Sequence, residues 1–301
     1  MRHGLAIHPK VNRLLENMNI KRSLKKRVLK LFDFVLSSKI NLHLIDDLAF
    51  IDYLMKNEFF SNPRYAYGMY IAAIQSLNFG NKCVTAVEFG VASGGSLREM
   101  CRIAKYIHKY TGVKFNIYGF DSGVGLLKID SYKDHPELWK VGEFPLYTDP
   151  EKVKDEFRND ATLIYGDVKE TIKDFVSNHL SESSPLGFFS MDLDTHTASK
   201  DTLFGLLVDS PEKYLPVVPA YFDDVGEALI YNAWCGEELS INEFNQQHDL
   251  RKIQKKLARP SSLKSGLWRE HYYFVNILDH EIRSGKCTKK FKPMTYLLDD
   301  F

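Results

Sequence analysis

The sequence predicts an α/β protein: a doubly wound, mostly parallel sheet covered by helices and preceded by a helical N-terminal region. Three observations predict it. From residue 83 onward, short apolar β-rich runs alternate with segments of helical spacing, the pattern of a parallel sheet with helices on both faces. A glycine-rich stretch, VEFGVASGGSL at residues 87–97, sits where the first run gives way to a helix. The strand-like runs also end repeatedly in aspartate, most plainly in FFSMDLDTHT at residues 188–197.

The elements follow in order. Residues 10–80 read as helices: Leu24, Val28, Leu31 and Phe32 form one stripe, and RYAYGMYIAAIQSL continues the spacing after Pro63. VTAVEFGV, KFNIYGFD, ATLIYGD, LGFFSMDLD and VVPAYFDDV then read as strands. SLREMCRIAKYIHKY, VKETIKDFVSNHL and TASKDTLFGLLVDSPEKYL are the helices among them. LSINEFNQQHDLRKIQKKL reads as a further helix, and HYYFVNILDH as a late strand closing the same sheet. The chain thus divides into a helical region over residues 1–80, suited to capping or to pairing subunits in a homo-oligomer, and a sheet domain over 81–301. The loop at about residues 122–150 is long enough to be functional and to cover a substrate.

Composition narrows the partners. The 301 residues are 44% hydrophobic and 13% aromatic, enough for a substantial core, and the formal net charge of +1 provides no global field for nucleic acid. Residues 1–40 carry ten basic side chains against two acidic ones; the segment KRSLKKRVLK reads as a solvated helix face or part of a subunit interface. Cys83, Cys101, Cys235 and Cys287 are widely separated, so neither a zinc site nor a disulfide framework is expected, and a reducing cytoplasm is the expected setting. The N-terminus lacks the features of a secretory signal, and no apolar run approaches membrane-spanning length.

The chemistry concentrates at strand ends. In VEFGVASGGSL the glycines let backbone approach a ligand, and the helix start offers free amides. Gly90, Ala92 and Gly95 do not satisfy G-x-G-x-x-G, which disfavours a dinucleotide. Asp121 ends the second strand, where an acid can accept both hydroxyls of a ribose. Asp167 ends the third, where its carboxylate or the following amides can meet an adenine edge; alone, either aspartate could simply cap a helix. Asp192 and Asp194 end the fourth strand on one face, and Asp223 and Asp224 end the fifth. Four converging carboxylates repel one another, a cost that a hard dication would offset. Asp194 could alternatively cap the helix that follows it.

Glycine loop, Asp121 and Asp167, in that order, resemble the Rossmann-like class I S-adenosylmethionine-dependent methyltransferases. E-F-G-V-A-S-G-G-S, then G-F-D-S, D-L-D and F-D-D, over about residues 64–280, resemble the macrocin O-methyltransferase branch, with Ala92 replacing the middle glycine of the general pattern. The resemblance implies an S-adenosylmethionine-dependent, Mg2+-assisted O-methyltransferase acting on a hydroxyl of a sugar or glycosylated small molecule. It implies cofactor contacts at Glu88, Gly90, Ser93, Gly94, Ser96, Asp121, Asp167 and Val168, and magnesium ligands at Asp192, Asp223 and Asp224. It makes Asp194 the general base, with His196 competing where the family often has an aromatic residue. Two alternatives stand beside it: a metal-dependent nucleotide-sugar glycosyltransferase using D-L-D, and a non-catalytic module that keeps the fold. The first leaves the glycine loop and the Asp223-Asp224 pair unexplained.

Overall fold

A computed structural model of the chain describes residues 63–226, 230–255 and 270–285. These all belong to one compact unit, Phe60–Lys292. The basic segment and residues 1–62 of the expected helical region lie outside the described residues.

Among the described residues, seven strands form one sheet: β1 (Cys83–Phe89), β2 (Lys114–Asp121), β3 (Thr162–Tyr165), β4 (Leu186–Met191), β5 (Val217–Phe222), β6 (Arg251–Lys255) and β7 (Tyr272–Ile277). Their order is β3-β2-β1-β4-β5-β7-β6. The first five run parallel, and β7 is antiparallel to both β5 and β6. This is an α/β, Rossmann-like sheet. The chain winds outward from β1 through β2 to β3, then returns to lay β4 on the other side of β1, so the switch point lies between β1 and β4.

The central strands explain the apolar runs. All six residues of β4 are buried, as are all of β1 but Cys83, because helices cover both faces and no position alternates to water. On one face α1 (Pro63–Phe79) packs against β1, β4 and β5, and also against α2 (Gly95–Thr111). On the other, Phe175 of α4 (Val168–His179) sets its ring edge-on to Phe120 of β2 at 5.2 Å between centroids. From there α4, α5 (His196–Leu206) and α6 (Gly236–Gln247) pack in series.

Three segments differ from the sequence expectation; the helix expected over TASKDTLFGLLVDSPEKYL ends at Leu206. The single helix expected over LSINEFNQQHDLRKIQKKL stops at Gln247, and Arg251–Lys255 becomes β6. Its lysines look helical in composition, but Arg251 and Ile253 turn inward and β7 offers a free edge to pair with; tertiary pairing overrides local preference. The region before β3 also contains a helix, α3 (Pro150–Phe157), which lacks a long apolar stripe. Asp149 caps it and Pro150 opens it, a start signal legible in TDPEKV.

Candidate active site

Strand register brings the expected residues to one edge. Phe89 lies level with Phe120 and with Met191, Met191 with Phe222, and Asp121 with Tyr165. The residues that follow these strand ends therefore surround one cleft of about 680 Å³, whose wall includes Gly90, Ala92, Asp121, Asp167, Val168, Asp192 and Asp194. It lies at the carboxyl ends of the parallel strands across the switch point, where open α/β sheets bind ligands. Glu88, Ser93, Gly94 and Ser96 are not part of that wall.

The glycine turn is built around Asp121. The Val91 and Ala92 amides donate to Asp121 Oδ2 at 3.1 and 2.7 Å, and the Gly123 amide donates to Oδ1 at 2.7 Å. An ionised carboxylate has about four acceptor sites, so roughly one stays open on Oδ1. Gly90 has φ +86°, and a Cβ there would sit 1.9 Å from the Asp192 carbonyl oxygen. The glycine thus lets the β1 turn and the β4 end pass in contact. Beyond it α2 starts at Gly95 without a side-chain cap, so its first-turn amides have no side-chain acceptor. Asp167 caps α4, accepting from the Lys169 amide at 2.9 Å.

Carboxylate oxygens of Asp192, Asp194 and Asp224 all lie within 4.8 Å of one another. Asp192 opens to solvent in the cleft, yet surrounding protein and the charges of Asp223, Asp224 and Asp194 push its carboxyl well above the usual range. Burial, then Asp224 and Asp223, push Asp194 up to about 7. Burial also raises Asp224, opposed by the Tyr231 hydroxyl, which donates to Oδ1 at 2.6 Å. Asp224 Oδ2 is buried with no hydrogen-bond partner. Asp194 holds the left-handed conformation with φ +61°, uncommon outside glycine. It does not cap α5; Thr195 does, accepting from the Ala198 amide.

Asp223 stands outside this group of three. The Arg64 guanidinium donates to its Oδ1 at 2.6 Å, and the Tyr221 hydroxyl donates to the same oxygen at 3.0 Å. His196 is buried, and its Nε2 lies 3.1 Å from Glu243 Oε2. Burial lowers its pKa against the pull of Glu243. Burial works against Glu243, yet hydrogen bonds from Lys133, Lys200 and His196 hold it down at about 2. Lys133 belongs to the long loop, and next to it the fully buried Asp134 accepts from the Thr197 amide at 2.7 Å and from its hydroxyl at 3.1 Å. The loop is thereby fastened to the start of α5 and supplies Ser122, Leu126, Leu127 and Phe144 to the cleft wall.

Several site residues escaped the sequence reading. Arg64 of α1 and Tyr231 of the segment after β5 donate to the Asp223 and Asp224 carboxylates, and Glu237 of α6 accepts from the Asp224 amide. None carries a local motif; only the unexplained charge of four converging aspartates signalled that partners had to exist. Glu88, expected at the cofactor, lies beneath the turn, where its Oε1 accepts from the Tyr65 hydroxyl at 2.7 Å.

No helix among the described residues is long and apolar enough to cross a membrane. No family model matches the sequence, and no curated protein matches it. Three of the solved structures similar to the chain are named as methyltransferases. CalS11, a calicheamicin methyltransferase, is 19% identical over 89% of this chain and 90% of its own, with a TM-score of 0.44. The O-methyltransferase NovP is 16% identical over 71% and 80%, with a TM-score of 0.48. MycE, a methyltransferase from the mycinamycin biosynthetic pathway in complex with Mg and SAH, is 14% identical over 69% and 48%, with a TM-score of 0.35. At these identities the likeness is one of fold.

Proposed function

We propose that the protein is an S-adenosylmethionine-dependent, divalent-metal-assisted O-methyltransferase acting on a hydroxyl of a sugar or glycosylated small molecule. The observation that carries this reading is a single cleft with an amide turn, Asp121 and Asp167 along one side and the Asp192 and Asp194 carboxylates along the other, with the buried Asp224 carboxylate within 4.8 Å of both. The residues fit both groups. Gly90 keeps the turn free of side-chain bulk, Asp121 keeps acceptor capacity for a ribose hydroxyl, and Val168 offers an apolar edge to a base. Three carboxylates held within 4.8 Å, one with an orphaned buried oxygen, fit a hard cation with oxygen ligands.

Asp192, Asp194 and Asp224 would hold the ion. When bound, the cofactor supplies an electrophilic methyl group and the ion lowers the pKa of the acceptor hydroxyl. The remaining work belongs to this chain. The cleft would align the hydroxyl for attack, and the Asp194 carboxylate would accept its proton. Such a positioned base contributes about 10²–10⁴-fold. Asp223 stays paired with Arg64 and fixes the end of β5. His196, tied to Glu243, supports the fastened loop.

Calorimetric titration with S-adenosylhomocysteine, with and without Mg2+, tests the reading. Micromolar binding by the natural chain, lost in Asp121→Ala, is the expected result. No binding under either condition overturns it and brings nucleotide sugars forward as ligands.

A further inference from the structure

We infer that Glu237 is a positioning residue that sets the metal-binding geometry by tying the Asp192-Leu193-Asp194 turn to the Asp223-Asp224 turn. The inference rests on the reading of this site as a metal-assisted methyltransferase centre. Glu237 lies in the first turn of α6 and is fully buried. Its Oε2 accepts from the Asp224 amide at 3.1 Å, and its Oε1 lies 3.5 Å from the Leu193 amide. One carboxylate therefore spans the two strand ends that carry the three ligands, 44 and 13 residues away in sequence.

The choice of residue follows from the chemistry. Two backbone amides from separate turns converge on one point, and a planar fork with two acceptor oxygens satisfies both. Burying a carboxylate beside three others is unfavourable, and an apolar side chain there would remove that repulsion. It would also leave both amides unsatisfied and release the turns. Leu193 stands between two ligands, and Asp194 holds φ +61°, so a shift of the Leu193 amide swings Asp192 and Asp194 apart. The Tyr231 hydroxyl on Asp224 Oδ1 leaves Oδ2 as the ligand atom of that residue. Glu237 fixes the backbone and Tyr231 fixes the side chain.

The test compares the full-length chain with Glu237→Gln, which keeps the shape but replaces one acceptor oxygen with a donor facing an amide. Mn2+ binding is read from the loss of the free-ion paramagnetic resonance signal, S-adenosylhomocysteine binding by calorimetry, and stability by thermal unfolding. Outer residues that orient ligands are worth about 10–100-fold in metal affinity. The expected result is a Mn2+ affinity at least ~10-fold weaker, with cofactor affinity within about two-fold. A merely structural role would lower the unfolding temperature and both affinities together, and would overturn the inference. So would Mn2+ binding by the variant within about two-fold of the natural chain. If the natural chain binds the cofactor product but takes up no Mn2+, the metal reading falls first and takes the inference with it. Should Glu237→Gln fail to fold, hydrogen exchange of the natural chain decides: slow exchange at both the Leu193 and Asp224 amides supports the tie, and bulk-rate exchange at either overturns it.

Discussion

Replacing Gly90 with alanine should disturb the glycine turn and the carboxylate cluster together. The backbone there has φ +86°, and the new Cβ would lie 1.9 Å from the Asp192 carbonyl oxygen, which is main chain and cannot rotate away. The left-handed conformation costs a residue with a Cβ about 1–2 kcal/mol, and an extra carbon forced into packed structure costs about 1–3 kcal/mol. The reduced freedom of the unfolded chain returns about 0.4–1 kcal/mol, leaving a net loss of about 3 kcal/mol. For a domain of this size that corresponds to about 6–12 °C in unfolding temperature. Because the clash falls on Asp192, the variant should also bind both S-adenosylhomocysteine and Mn2+ more weakly. Differential scanning calorimetry and the two titrations measure this. An unfolding temperature within about 2 °C of the natural chain, with both affinities kept, would refute the close approach of β1 and β4.

Two further predictions follow from the site. Burial pushes Glu88 up to about 8 while the Tyr65 hydrogen bond works the other way. A carboxyl raised in the folded state contributes stability that is full below its unfolded value, about 4.3, and is lost as pH rises through about 8. The natural chain should therefore melt lower at pH 9 than at pH 6, and Glu88→Gln should flatten that slope; an unchanged slope would refute the assignment. For the reaction, Asp194→Asn should lower turnover by about 10²–10⁴-fold, whereas His196→Asn should act mainly on acceptor KM through the loop. Steady-state kinetics with an acceptor found by screening checks both, and the reverse pattern would make His196 the base.

The D-L-D and F-D-D motifs were legible because each lies on one strand end, where alternation and register fix the direction of a side chain. Asp192 and Asp224 meet as the spacing implied. Asp194 joins them, while Asp223 turns to Arg64, because a residue 159 positions earlier supplies the guanidinium. His196, a competing base by sequence, is paired with Glu243, which also holds Lys133 of the loop and Lys200 of α5. The edge strand β6 departs from its helix-like composition for a similar reason: only the open edge of β7 makes it a strand.

The sequence by itself determined the winding of the sheet, the glycine turn, Asp121 at the second strand and the convergence of carboxylates at one edge. These follow from periodicities of two and 3.6 and from residues with special backbone freedom, which act locally. Tertiary structure decided which carboxylates share a centre, which are neutralised, and what holds their turns in place. Arg64, Tyr231 and Glu237 act across long stretches of chain, and the contact energies that place them exist only once the sheet has brought its strand ends together.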